Sequence, residues 1–427
     1  LTPHNIWGSG VWKSTDNGRT WQQLASTRPG TNSAFDSNWD FINSIAIDPT
    51  NQAEDEVYAA TYSQIMRSVN GGQSWTRVLG GITPNSTSTD GGGTHTEVMV
   101  VPNGTVYATL SARGNANSTP RDRGVFRSAD GITFNNITPS SYPSSGYLRA
   151  VMAFAPSSPN LIYVLLNHTG IRPRTGQNET DCRLWKYDAN LTGSAAWTDL
   201  SANVPRNGTN TSGAPRGMNS QTSYNLILAV KPDNPNVVFM GGTNLFRSSN
   251  GFSNTTVDWI GGYNPTTFIQ PFHHPDQHAL VFYPDNPNRM LSGHDGGVSV
   301  TQNAMQAPSQ SFWQDINNGY ITTQFYTVAV EPTGATGMAN VLMGGMQDNS
   351  TYWTNNTNPN SAWRDVFGGD GSFAAVADAG AFGVVSAQNG TTYLLRDILA
   401  DPVNSDFSNV TPAGIDSFDF INPFLLD

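Results

Sequence analysis

Short apolar runs punctuate the chain, each closed by Pro or Asp: Ile42–Pro49, Val98–Pro102, Val151–Pro156, Leu226–Pro232, Ala279–Pro284, Tyr326–Pro332, Phe373–Asp378 and Phe420–Asp427. Runs this short and this continuously apolar predict strands buried on both faces. Turns follow them, as in Asp48-Pro49-Thr50-Asn51 and Pro232-Asp233-Asn234-Pro235, and then second strands such as Val57–Thr61 and Val237–Gly241. In such turns Pro presets φ while Asp and Asn side chains bond their own backbone. No stretch sustains the 3.6-residue apolar period of a helix, so the pattern predicts an all-β chain.

A second ladder runs in step with the first. An apolar or aromatic residue, then Lys or Arg, then Ser recurs as Trp12-Lys13-Ser14, Met66-Arg67-Ser68, Phe126-Arg127-Ser128 and Phe246-Arg247-Ser248. Weaker copies are Trp185-Lys186-Tyr187, Val300-Thr301, Trp353-Thr354 and Leu395-Arg396-Asp397. From Ser14 onward the anchors are spaced 54, 60, 59, 61, 53, 53 and 43 residues apart. Four short strands with their turns fill that length, the size of one β-propeller blade. About eight four-stranded blades are therefore predicted, as one propeller domain over residues 1–427 with a long inter-strand insertion at about 167–223. Phe420–Asp427 reads as an inner strand with nothing after it, and Pro3–Gly8 as a second strand with nothing before it. The two ends are expected to complete one blade and close the ring; the alternative is a fragment of a larger or double propeller.

The best copies continue as Ser14-Thr15-Asp16-Asn17-Gly18-Arg19-Thr20-Trp21 and Ser68-Val69-Asn70-Gly71-Gly72-Gln73-Ser74-Trp75, with a shorter one at Ser128-Ala129-Asp130-Gly131-Ile132-Thr133-Phe134. These segments resemble the Asp-box (BNR) repeat of sialidases, sortilin-type receptor domains and several glycosidases. The chemistry of the motif is structural. A carboxylate or amide (Asp16, Asn70, Asp130) accepts backbone N–H bonds in a tight hairpin. Glycine (Gly18, Gly72) supplies positive φ, and the aromatic (Trp21, Trp75, Phe134) is expected to fill the space between blades. Such a scaffold leaves the chemistry open.

Composition narrows the setting. The chain has 21 basic and 32 acidic residues, a net charge of −11, which argues against a nucleic-acid backbone as partner. No apolar stretch is long enough for a membrane helix. Cys182 is the single cysteine, so an intrachain disulfide and a cysteine metal cage are both excluded. Asn-x-Ser/Thr triplets are frequent; Asn85, Asn117, Asn178, Asn207 and Asn254 are the glycosylation candidates, and Asn167 lies in another triplet. With low charge and one cysteine, they predict an extracellular or cell-surface protein. The chain starts at Leu1 rather than Met, as expected if a leader has been removed.

Blade topology sorts the polar residues. Entrances to inner strands and the loops between second and third strands share one face, where a concave site is expected. The entrances carry Asp40, His95, Arg149, Asp276, His278, Gln324 and Asp370; the loops carry Arg121, Arg123, Arg172, Arg174, His294, Asp295 and Asp348. The series Asp276–Leu280, Asp295–Gly297, Gln324–Tyr326 and Gln347–Asn349 is similar to segments of large secreted sortilin-like BNR proteins. That resemblance implies propeller and export, with no assured reaction.

Three readings of this face stay open. Asp295 with Asp348 or Asp370 could act as acid and base on a glycosidic bond, as could Asp276. His278, His294 and nearby Asp residues could bind calcium or another divalent ion, although no cofactor is required. Or these side chains, with Arg149 and Gln324, bind ligand or hold loops in register. The arginine triad of sialidases has no counterpart motif at the first inner strand. The leading expectation is a non-catalytic extracellular propeller that binds a glycan or protein, or serves as a module of a larger assembly. The alternative is a secreted glycoside hydrolase, sialidase-like or endoglucanase-like.

Overall fold

A computed structural model describes residues 8–31, 35–51, 55–81, 95–111, 123–144, 146–168, 180–206, 217–263, 273–319, 323–331, 341–356, 358–377, 380–396, 398, 407–414 and 417–426. Strands dominate, and the only helices among these residues are short 3-10 turns. The chain divides into two compact units, Leu1–Ile316 and Asn317–Asp427. Every sheet is an antiparallel meander of strands consecutive in sequence, so the fold is the all-β propeller that the repeat spacing predicts.

The first unit carries six of these sheets, here called blades 1 to 6. Blade 1 has two described strands, Trp12–Lys13 and Gln22–Gln23. Blade 2 comprises Ile42–Ile47, Val57–Thr61, Gln64–Ser68 and Thr76–Gly80, and blade 3 His95–Val100, Val106–Ser111, Gly124–Ser128 and Asn135–Asn136. Blade 4 comprises Tyr147–Ala155, Ser158–His168, Cys182–Asp188 and Trp197–Asp199. The stretch 167–223 is therefore not one insertion, because it contains two strands of this blade. Blade 5 comprises Ile227–Val230, Val238–Gly241, Leu245–Ser248 and Asp258–Gly261; blade 6 Gln277–Tyr283, Asn286–His294, Gly297–Thr301 and Gln314–Asp315. First strands of blades 2 to 6 pack against one another in chain order, as inner strands of a propeller must.

The second unit holds two further sheets. Blade 7 is Thr327–Val330, Leu342–Gly345, Thr351–Thr354 and Arg364–Phe367. Blade 8 is Ala374–Val376, Phe382–Ser386, Thr392–Arg396 and Phe407–Asn409. They share a core of Val341, Met343, Trp353, Val366, Val385 and Leu395. The closing strand expected at Phe420–Asp427 does not form: residues 417–426 carry no strand, and Leu425 is 91% exposed. Its expected partner at Pro3–Trp7 lies outside the described residues.

Burial falls differently from the pattern predicted for inner strands. The second strands are the most covered, with Val106–Ser111 and Val238–Gly241 buried throughout. Among first strands, Ile45, Ile47, Val281, Val328 and Val330 are about half exposed. A second strand has a hydrogen-bonded neighbour on each side within its own blade and apolar side chains from adjoining blades on its faces. Tyr58 and Ala60 of blade 2, for example, join Val98, Val106 and Phe126 of blade 3 in one cluster. At ~25 cal/mol per Å2, burying each large side chain contributes about 1.5–3 kcal/mol.

The Asp-box turns take the predicted form. Ser14 Oγ donates to Asp16 Oδ1, accepts from Gly18 N at 2.8 Å, and Asp16 Oδ1 accepts from Thr20 N at 2.8 Å. Ser68 and Asn70 repeat this, with Gly72 N and Ser74 N as donors. In the shorter third copy Ser128 Oγ again donates to Asp130 Oδ1, but that oxygen alone accepts from both Ile132 N and Thr133 N. Gly18, Gly72 and Gly131 sit at φ of 82°, 86° and 69°. A fourth copy, Ser248 with Asn250, binds Phe252 N and Ser253 N in the same way.

The aromatic positions divide. Phe134 packs on the cluster between blades 2 and 3, and Trp75 meets Trp39 edge-on at 5.0 Å. Trp21 does not fill an inter-blade space. It is 60% exposed and folds over its own turn, with Nε1 donating to Gly18 O.

In two copies the basic residue of the repeat fastens blades together. Lys13 of blade 1 pairs with Asp55 ahead of the second strand of blade 2 at 2.6 Å. Arg247 of blade 5, buried, pairs with Asp258 at 2.6 Å and donates to the carbonyls of Ala304 and Gln306 in blade 6.

Candidate functional site

Blades 5 and 6 bring one group of polar residues to a common end. The entrance to blade 6 (His273–Gln277), its tight turn at Asp295-Gly296, and the entrance to blade 5 (Ser220–Asn225) meet there. The backbone ties are direct: Asp276 N donates to Thr243 O, Gln277 N to Gly242 O, and Asp295 N to Asp276 O. Asp276 takes the left-handed conformation, φ 65°, which a short side chain able to bond locally tolerates.

Asp276 is 5% exposed. Its Oδ1 accepts from Asn225 Nδ2 at 2.5 Å and from Gln221 Nε2 at 2.6 Å, so it braces blade 6 against the loop that enters blade 5. Burial, reinforced by the charge of Asp295, pushes its carboxyl up to about 6. A carboxyl oxygen of Asp276 lies within 4.8 Å of one of Asp295. Asp295, largely covered, bonds other partners: its Oδ1 pairs with His278 Nε2 at 2.5 Å, and its carboxylate accepts from Tyr224 OH at 3.1–3.2 Å. The Tyr224 and His278 rings meet edge-on at 5.1 Å, and Tyr224 is 54% exposed.

The loop that presents Tyr224 is strained. Gln221, Thr222 and Ser223 have successive φ values of 47°, 60° and 73°. A β-branched residue at positive φ is an outlier, and each such residue costs on the order of 1–3 kcal/mol. Buried hydrogen bonds hold the turn. The Asp181 carboxylate accepts from Ser220 N and from Ser220 Oγ at 2.7 Å, Asn219 Oδ1 accepts from Gln221 N, and Ser223 Oγ donates to Asn167 Oδ1 at 2.7 Å.

Behind this surface lies a histidine cluster. His273 is fully buried, 4.7 Å from His294 and 4.4 Å from Trp313, ring to ring. It fits because residue 261 is glycine: a Cβ there would fall 2.4 Å from His273 Nδ1. His273 Nε2 bonds Ser292 Oγ and His294 Nε2 bonds Ser299 Oγ. Burial drives His273 well below the usual imidazole range, and burial with the neighbouring His274 charge lowers His294 to about 4. Both rings are neutral at pH 7.

These contacts bear on each sequence-based candidate. Asp276, His278, His294 and Asp295 are brought together. Asp276 Oδ1 accepts from two amide donors and Asp295 Oδ1 pairs with an imidazole. The group has the wiring of a hydrogen-bonded network. Arg149 stands apart on blade 4; its N donates to Ser223 Oγ, and burial lowers its guanidinium despite the nearby Glu97 carboxyl.

Glu97, on the adjoining inner strand, is raised by burial to about 7. Asp40 is buried and caps its own 3-10 turn, accepting from Asp36 N and Ser37 N. Arg123 stacks over Tyr147 at 5.3 Å. In the second unit, Gln324 is exposed, and Asp348 N donates to Asp370 Oδ1 at 2.9 Å.

Arg121, Arg172, Arg174, Asn85, Asn117, Asn178 and Asn207 lie outside the described residues. Asn254 is exposed, its Oδ1 accepting from Thr256 N. Asn167, although in a sequon, is fully buried with Nδ2 bonded to Asp181 O and Oδ1 to Ser223, and cannot carry a glycan.

Tyr224, Asn225 and Gln221 were not among the candidates. They occupy an inner-strand entrance, the position that selected Asp276 and Arg149, and that rule applied to the residues before Leu226 would have found them.

No family model matches the chain, and no curated protein does. Among solved structures, it is similar to a GH74 enzyme of Niastella koreensis, at 15% identity over 97% of this chain and 70% of that one, with a TM-score of 0.40. An ancestral GH74 enzyme gives 15% identity over 95% of this chain and 59% of that one, TM-score 0.45. YCF48 bound to D1 peptide gives 14% identity over 80% and 86%, TM-score 0.40.

Proposed function

We propose that this chain is an extracellular, non-catalytic propeller that binds a saccharide at the Tyr224–His278–Asp295 surface. One observation carries the reading: three successive left-handed residues, held by buried hydrogen bonds, aim an exposed tyrosine onto an imidazole–carboxylate pair. Strain of that size persists where the surroundings over-determine it, and it concentrates at ligand sites. An aromatic face stacks on the apolar side of a sugar ring, while the fixed carboxylate and imidazole offer hydrogen bonds to its hydroxyls. The nearest carboxyl, Asp276, is buried with its Oδ1 bonded by two amides, which favours a bracing role over catalysis. Titration calorimetry against a panel of neutral and acidic oligosaccharides tests the reading. Saturable binding abolished by Tyr224→Ala and weakened by His278→Ala supports it; binding unaffected by both variants overturns it.

A second reading, glycoside hydrolysis, draws on a different observation. Asp276, raised to about 6 beside Asp295, has the split of environments that separates a general acid from a carboxylate partner. The GH74 enzymes named above are compatible with it, as similarity of fold only. Hydrolysis of any panel member, lost in both Asp276→Asn and Asp295→Asn, would establish this reading in place of the first.

A further inference from the structure

We propose a second, independent ligand site: a pocket in blade 4 that takes the oxyanion of an acidic sugar, a carboxylate or a sulfate. The cavity has a volume of about 420 Å3 and opens where the second, third and fourth strands of the blade end. That falls within the range of small-ligand pockets, roughly 300–1,000 Å3, and is ample for a monosaccharide. His168, Thr180, Arg183, Asp199, Ser201 and Arg206 line it.

The charge of the wall is the first argument. Two guanidinium groups face one carboxylate, an excess of positive charge in a chain whose net charge is −11. Asp199 offsets part of that charge through Arg183, but its Oδ1 accepts from Ser201 N at 2.9 Å, and neither arginine lies within ion-pair distance of a carboxylate among the described residues. Elsewhere in the chain, Lys13, Arg67 and Arg247 each take a carboxylate partner.

The second argument is an unfilled hydrogen bond. Arg183 Nε is buried and has no acceptor. A buried donor left unpaired costs about 1–3 kcal/mol, and the fork of a guanidinium matches an oxyanion in bidentate geometry. Thr180 and Ser201 spend their hydroxyls on the wall itself, Thr180 Oγ1 donating to Met218 O and accepting from Cys182 N. The wall is also firmly built. Ser201 Oγ bonds both backbone groups of Leu184, and Cys182 behind it donates to the buried Asp181.

Nothing here depends on the Tyr224 surface, and the experiment keeps the two apart. Glucuronate, a 6-sulfated N-acetylglucosamine, inorganic sulfate and neutral glucose are titrated at low and high salt into the full chain carrying Tyr224→Ala, which removes the other surface. Glucuronate or the sulfated sugar, or both, should bind, more tightly than sulfate alone, while glucose does not, and high salt should weaken the binding. The arm that binds identifies the source of the oxyanion. In that background Arg206→Gln, at an exposed edge, and Arg183→Gln should each lower affinity ~10-fold or more. Equal binding of glucose and glucuronate, binding that survives both arginine variants, or no binding by any of the four overturns the proposal.

Discussion

Replacing Asp276 by Asn tests the electrostatics of the blade 5–blade 6 junction. The backbone there has φ 65°, which Asn adopts as readily as Asp, and Asn keeps the Oδ1 that accepts from Asn225 and Gln221. The variant therefore reproduces the protonated form of the wild-type residue. Burial and Asp295 raise the folded-state value from 3.8 to about 6, and each unit corresponds to 1.36 kcal/mol. The wild-type carboxyl thus penalises the folded state by about 3 kcal/mol once ionised. Because the folded value is raised, the stability of the neutral form is fully present below pH 3.8 and lost as pH rises through about 6. Equilibrium urea unfolding, followed by tryptophan fluorescence, should show Asp276→Asn and wild type nearly equal at pH 4. At pH 8 the variant should be more stable by about 3 kcal/mol. A variant less stable than wild type at pH 8 would refute the reasoning, because it would mean that the folded protein needs the anion, as a bound cation would require.

Further outcomes follow from single contacts. Ser68→Ala removes the buried acceptor of Gly72 N, so the second Asp-box hairpin should lose about 1–3 kcal/mol, measurable by chemical denaturation. Glu97→Gln should raise the melting temperature at pH 8 but not at pH 4, since burial lifts this carboxyl to about 7 and its stabilising neutral form is lost as pH rises through that value. Cys182, buried and raised well above the usual thiol range, should resist a thiol reagent in the native protein and react only after unfolding.

The parts of the fold legible in the sequence are those whose hydrogen bonds close locally. Ser14 with Asp16 and Ser68 with Asn70 satisfy backbone donors within a few residues of themselves, so their spacing measures the blades directly. The fourth turn, at Ser248 and Asn250, makes the same bonds with Phe252 in place of the glycine, and the glycine pattern passed over it. Trp21 and Trp75 share a motif position, but their burial depends on the residues opposite: Trp75 has Trp39 beside it, whereas Trp21 covers only its own turn. Phe420–Asp427 has a strand's composition, yet a strand needs a partner edge as well as apolar side chains.

The candidate site divides in the same way. Asp276, His278, His294 and Asp295 were legible because inner-strand entrances and second turns share a face. Tyr224 was hidden by a loop conformation that three ordinary residues, Gln221, Thr222 and Ser223, do not advertise. The role of Asp276 depends on Gln221 and Asn225, more than fifty residues before it, and no local pattern encodes that contact.

Recognition without hydrolysis is the central claim, and release of reducing ends from the bound saccharide tests it most directly. Purified protein incubated with a saccharide that it binds in a Tyr224-dependent manner is predicted to release none above the level of buffer. Release that is abolished by Asp276→Asn or Asp295→Asn would contradict the claim and assign the two carboxyl groups to catalysis.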